Sequence, residues 1–281
     1  MLAATPHYGF CRRSVTFARQ LARFGIASLR MDFAGLGDSL GPRSEENAMS
    51  DIFVDRRPDI QDALDALERL GFRRFALQGL CAGAYHALQG ALVDSRISAV
   101  VMVDLPLFNS TDVVFDYLRW RDSSLKRHLH KLFIMGGWKL LLTHKVDAWS
   151  LLRGWVAKAQ VRGSAIVRNF ARRVGFAGQR SPAHHIMATL SARGVRLLFL
   201  FSPGQGATDA FAQEFGRSAE KLAAYPDAEM HVVPGMDHNM VATSGRRLAQ
   251  ARMLEFMAAA SAPPSSAPAS DARRTRDAAP A

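Results

Sequence analysis

Phe75-Ala76-Leu77-Gln78-Gly79-Leu80-Cys81-Ala82-Gly83 is the stretch on which the fold turns. Its first six residues make a short apolar run of strand length, and from Ala82 to Leu92 the apolar residues recur at helical spacing. In that strand-to-helix context a glycine-x-nucleophile-x-glycine pattern carries meaning. The sharp turn forces its central residue, here Cys81, into a strained conformation with the side chain raised above the sheet. Gly79 and Gly83 are required because β-carbons there would collide with the neighbouring strand and helix. The Ala82 N–H, at the start of the helix, is then placed to stabilise an oxyanion. A histidine partner and a helix N-terminus both favour the thiolate form of a cysteine, so a thiol can serve as nucleophile at such a turn. The same pentapeptide also suits a small buried cysteine in a glycine-rich turn, and the rest of the chain decides between the two.

Outward from the turn, apolar runs alternate with helical patterns. Ile26–Phe33, Phe75–Leu80, Ala99–Leu105, Val195–Ser202 and Met230–Pro234 are the strand candidates; Arg12–Phe24, Asp55–Leu70 and Ala82–Leu92 have helical periodicity. Nearly continuous apolar strands separated by helices indicate an α/β fold, with a mostly parallel sheet covered on both faces. Between Arg119 and Ser191 the rhythm breaks into helical segments anchored by Trp120, Trp138, Trp149 and Trp155. The expected organisation is a core in two parts, 1–118 and 192–257, a helical cap inserted at 119–191, and a tail at 258–281. The tail is rich in Ala, Pro and Ser and is expected to be disordered, since it cannot bury enough apolar surface to offset chain entropy.

Composition narrows the class. The 281 residues are 48% hydrophobic and 22% charged, with no repeat, as in an ordinary globular protein. No apolar run reaches the roughly 18 residues of a membrane-spanning helix, and the first residues do not read as a secretory signal. Two cysteines, Cys11 and Cys81, cannot build a disulfide framework or a cysteine-rich zinc site, and a reducing cytoplasm is the expected location. The formal net charge is +11, and residues 119–180 alone carry 14 basic and 2 acidic side chains. Such a segment attracts phosphates, anionic lipid headgroups or acidic glycans, or else it is an arginine-rich set of solvated helix faces. No nucleic-acid motif accompanies it, so nucleic acid is not an expected partner. Leu132–Leu142 within it reads either as a membrane-surface helix or as a helix packed on the main domain.

A general base is sought at the carboxyl edge of the sheet, where open α/β sheets gather ligands. His238, in Gly235-Met236-Asp237-His238-Asn239, follows the last strand candidate and meets that condition. His231 alternates within the strand and reads as structural. For the acid that orients the imidazole, Asp209, after the fourth strand candidate, satisfies the chain order nucleophile, acid, histidine. Asp104, at the end of Ala99–Leu105, competes with it, and Asp237 is expected to point elsewhere. Asp32 to Ser39, DFAGLGDS, has too few glycines for a dinucleotide loop and reads as a tight structural turn.

With these residues assembled, FGIASLRMDFAGLGDS, GLCAGA and PGMDHNM resemble the α/β-hydrolase superfamily over about Pro6 to Met257. The likeness is strongest to the bacterial branch of serine-aminopeptidase-like and exosortase-associated hydrolases. It implies a nucleophile at Cys81, a base at His238, a cap inserted after the strand ending near Leu105, and hydrolysis or transfer of an acyl group from an ester, thioester or amide. No metal or organic cofactor is implied, and the substrate is a small-molecule or carrier-linked acyl compound, with an anionic one favoured by the basic cap. A second oxyanion N–H is implied near Ala4 and Thr5. The sequence departs from the family where Gly204-Gln205 stands in place of Gly-Asp, leaving the acid to Asp209 or Asp104. It departs again at the start: the family has a strand between those represented by Ile26–Phe33 and Phe75–Leu80, of which Met1–Ala4 retains at most the end. A non-catalytic, hydrolase-like protein that binds an acidic partner or a membrane surface is the competing expectation.

Overall fold

A computed structural model describes residues 6–41, 54–106, 108 and 181–261. The expected insertion over 119–180, the oxyanion candidates Ala4 and Thr5 and the tail from 262 lie outside the described residues. Among the described residues four strands, β1 (Phe75–Leu80), β2 (Ile97–Val103), β3 (Arg196–Phe201) and β4 (Ala228–Val232), pair in sequence order, every pairing parallel. Around them lie α1 (Arg13–Arg23), α2 (Arg57–Arg69), α3 (Ala82–Val93), α4 (Pro182–Ala192), α5 (Gly206–Phe215) and α6 (Thr243–Ser261).

The period-2 geometry of β2 and β3 sorts their side chains onto two faces. Val100, Met102, Leu197, Phe199 and Phe201 pack with α2, α3, α4 and α5. Ala99, Val101, Val103, Leu198 and Leu200 pack with α1 and α6. Both strands are buried on both faces, which is why they read as unbroken apolar runs. Small residues let α3 sit against the sheet and α2 at once: Ala84 and Ala91 are fully buried, and a β-carbon on Gly90 would stand 3.1 Å from Ile60 Cδ1 and 3.2 Å from Leu77 Cδ1. β4 forms one edge of the described sheet, and its Glu229 and His231 side chains meet at 3.1 Å.

Three boundaries differ from expectation. Pro182–Ala192, read from sequence as the end of the inserted cap, is α4, capped by the Ser181 hydroxyl and started by Pro182, with Met187 and Leu190 fully buried in the core. Helix α6 continues through Ala258 to Ser261 with Ala260 buried, so the first residues assigned to the tail belong to the core. Ile26–Phe33 enters no ladder. The reason lies at β1, where Phe75 and Cys81 donate to Arg96 O and Val103 O at 3.1 and 2.8 Å, so alternate residues face β2. The backbone groups of Ala76 and Gln78 therefore point the other way. A groove of about 440 Å³ separates that edge from Ala27–Met31, where the resemblance puts a further strand. A side-chain pattern specifies extension; a strand also needs a neighbour within hydrogen-bonding distance.

On the α5 side, Phe211 is 1% exposed and its ring centroid lies 5.0, 5.2 and 4.7 Å from those of Phe199, Phe201 and Phe215. Phe211→Ala is expected to lower stability by about 3–5 kcal/mol, read as an earlier urea midpoint. An unchanged midpoint would contradict this account of the packing.

Candidate active site

The turn between β1 and α3 has the geometry its sequence demands. Cys81 sits at φ 55, ψ −120, a region almost reserved for glycine, and its side chain is partly exposed. The strain is held from both sides: Cys81 N–H donates to Val103 O at 2.8 Å, and Cys81 O accepts from Ala84 and Tyr85 at 2.9 and 3.1 Å. A β-carbon on Gly79 would overlap the Gly83 carbonyl and the Ala84 nitrogen, all backbone atoms that cannot swing away. Ala82 opens α3, so its N–H is among the first-turn donors that lack an intrahelical acceptor.

At the end of β2, Asp104 is also forced into the left-handed region, with φ 47. Its N–H donates to Leu200 O at 2.8 Å, which keeps the backbone on the β2–β3 ladder and turns the side chain across the end of β3. There Ser202 N–H donates to one carboxylate oxygen and Ser202 Oγ to the other, each at 2.7 Å. The second oxygen also meets His238 Nδ1 at 2.9 Å. Asp104 is 1% exposed, and these three bonds compensate the burial of its charge.

With Nδ1 engaged, Nε2 is the ring nitrogen available to Cys81, whose sulfur is one of the groups that raise the imidazole pKa. Burial of the ring disfavours the imidazolium, but the bonds to Asp104 and Cys81 and their negative charge outweigh it. The His238 pKa is pushed up from 6.5 to about 10. A pKa raised on folding stabilises the fold fully below 6.5, and that contribution is lost as pH rises through about 10.

The loop carrying His238 is ordered by its neighbour. Asp237 accepts from the N–H groups of Asn239, Val241 and Ala242 at 3.0, 3.1 and 2.6 Å. Burial disfavours its carboxylate, yet these donors hold its pKa below the ordinary value. As expected from sequence, Asp237 points away from the imidazole. Gly245 lets α6 close on the loop, since a β-carbon there would overlap the backbone of Gly235 and Met236.

Of the residues singled out from sequence, Cys81 and His238 are brought together. Asp209 is not: it is exposed in the first turn of α5, where a carboxylate complements the helix N-terminus, and the competing Asp104 holds the imidazole. Sequence reasoning misses Ser202, for which the available signal is a small hydroxyl residue directly after the apolar run Leu197–Phe201. The DFAGLGDS segment is a turn, with Gly35 and Gly37 at φ 73 and 59 and Ser39 Oγ donating to Asp32 O at 2.8 Å. Asp32 also meets His7 Nδ1 at 3.0 Å, and the ligating atoms of His7, Asp32 and Asp38 lie within 4.8 Å of one another. That cluster is accounted for by the His7–Asp32 hydrogen bond and by the Asp38 N–H, which donates to Asp32 at 3.2 Å.

A family model described as the alpha/beta hydrolase family matches residues 3–251. No curated protein matches the chain. Among solved structures, a proline iminopeptidase-related protein from Thermus thermophilus is 16% identical at a TM-score of 0.46, with 92% of this chain and 86% of that one covered. NosK from Streptomyces actuosus is 17% identical at a TM-score of 0.45, covering 92% and 95%. GrgF, an alpha/beta hydrolase from a Penicillium species, is 16% identical at 0.46, covering 90% and 86%.

Asp104→Asn removes the carboxylate charge that favours the imidazolium. The His238 pKa is expected to fall well below about 10, measured by imidazole nitrogen NMR across pH. A titration that stays where it was would exclude Asp104 as its cause.

Proposed function

The chain belongs to the alpha/beta hydrolase family, and from that premise we propose that it cleaves an acyl bond of an ester, thioester or amide through a cysteine acyl-enzyme. The observation that carries this reading is the continuous chain of contacts from Cys81 through His238 to Asp104. Cys81 sulfur attacks the acyl carbon, with its proton held on His238. The tetrahedral oxyanion is received by the Ala82 N–H. Collapse breaks the bond to the leaving group, to which His238 Nε2 delivers the proton, and leaves a thioester on Cys81. Water then attacks that thioester as His238 takes its proton, releasing the acid and regenerating the thiol–imidazole pair.

The raised imidazole pKa suits the first half of this cycle and relaxes for the second. Negative charge on sulfur is one of the causes that keep His238 protonated. Acylation removes that charge, so the imidazole gives up its proton more readily and is free to act as a base toward water. Asp104, braced by Ser202, keeps Nδ1 protonated and Nε2 directed at sulfur. In serine enzymes, disabling the equivalent acid costs about 10⁴ in rate.

The substrate reading rests on charge. The excess of basic residues over 119–180 favours an acyl compound with an anionic leaving group or carrier, or a peripheral contact with an anionic membrane. A thiol nucleophile suits a reducing compartment such as the cytoplasm. An acceptor other than water would turn the same acyl-enzyme to acyl transfer.

The test is a panel of p-nitrophenyl esters and acyl thioesters, with mass spectrometry of the quenched protein. Turnover and an acyl adduct on Cys81 are expected, both absent in Cys81→Ala. In parallel, iodoacetamide at neutral pH is expected to label Cys81 faster in the native protein than in His238→Ala. Full turnover by Cys81→Ala, or labelling indifferent to His238, would leave a hydrolase-like binding protein as the better reading.

A further inference from the structure

Arg13 occupies a position that helix energetics argue against. It is the first residue of α1, whose first turn contains no acid, so a guanidinium sits at the positive end of the helix dipole. It is also buried, at 6% exposed, and burial disfavours its charged form while Asp237 supports it and Arg246 opposes it. A buried cation at the wrong end of a helix persists when something specific compensates it. Here Arg13 Nη1 donates to Asn239 O at 2.8 Å, a bond between residues 226 apart in sequence.

That carbonyl belongs to the residue immediately after His238. The turn is otherwise organised from within by Asp237 and from α6, where Arg246 reaches Met240 O and Val241 O at 3.2 and 2.9 Å. Arg13 holds it from the opposite direction, through α1. The guanidinium lies 5.7 Å from the Phe10 ring centroid, and the main-chain carbonyl of Arg13 is tied to α6 by Gln250 Nε2, which donates to it at 3.2 Å. Gly9, at φ 68, leaves room for it, since a β-carbon there would stand 3.0 Å from Arg13 Cγ.

We propose that Arg13 is a positioning residue for His238: through the Asn239 carbonyl it fixes the turn so that Nδ1 meets Asp104 while Nε2 meets Cys81. The assignment rests on the catalytic reading above. Its physical content is that the imidazole has two partners just past the ends of different strands, and a turn free to slide can satisfy one at the expense of the other. Arg13 acts on the backbone of that turn and touches neither sulfur nor substrate.

The test uses the full chain with Arg13→Met and Arg13→Lys, and Cys81→Ala alongside. Each is measured for kcat and KM on p-nitrophenyl acetate, for thermal midpoint, and for the low-field proton NMR signal of His238 Nδ1–H. Arg13→Met is expected to lose about 10²-fold in kcat per folded molecule with KM little changed, since an ångström of misplacement costs that much. Its Nδ1–H signal should shift or broaden, and Arg13→Lys should recover part of both. A role confined to stability would lower the midpoint and leave kcat and the proton signal of the folded fraction alone, which would overturn the proposal. If Arg13→Met does not fold, Arg13→Lys decides by the same readouts. Wild-type behaviour of the Arg13 variants beside an inactive Cys81→Ala removes this assignment alone; an active Cys81→Ala removes the catalytic reading beneath it.

Discussion

One buried carboxylate, Asp104, sets where the parts of the candidate site can stand. Its two oxygens are claimed by Ser202 N–H, Ser202 Oγ and His238 Nδ1, so β2, β3 and the loop after β4 are tied at a single point. A charge that deep is tolerable because each partner is a donor at hydrogen-bond distance. The same arrangement leaves one orientation for the imidazole, and that orientation presents Nε2 to Cys81. Structure and chemistry share this constraint: what satisfies the carboxylate also orients the ring.

Backbone strain also marks this edge of the sheet. Cys81 and Asp104 both have positive φ, at 55 and 47, and neither is glycine. Each is held in place by a ladder bond that continues a parallel strand pairing past its end, Cys81 to Val103 and Asp104 to Leu200. The strain turns two side chains out of the sheet toward a common space, which unstrained strand ends would not do. The glycines at 79 and 245 serve the same end by close approach, one letting α3 start beneath the nucleophile and the other letting α6 press on the histidine loop.

Much of this is legible in the residues alone, and the exceptions have a common origin. β1, β2 and β3 are buried on both faces or abut the nucleophile turn, so their apolar runs stand out within a residue or two. Ile26–Phe33 also reads as a strand, yet a groove lies between it and β1, and pairing is not written in a strand's own residues. Asp209 satisfies the order of residues along the chain, whereas the choice of acid depends on which carboxylate reaches across the end of β3. Asp104 reaches because its φ is positive and Ser202 waits there; Asp209 is spent on the first turn of a helix. Helix α4 reads as part of the insertion because its pattern is helical, and only its burial against α3 and the sheet places it in the core.

Local chemistry along the chain is enough to specify the alternation of strands and helices, the nucleophile turn and the histidine loop. Apolar period, glycine at positions that admit no β-carbon, and a polar loop after a strand are all properties of neighbours in the chain. The acid, the brace from Ser202 and the grip of Arg13 on Asn239 emerge only on folding, because those are distances between residues 134, 98 and 226 positions apart. Such distances are set by strand order and by the direction in which a strained backbone throws its side chain.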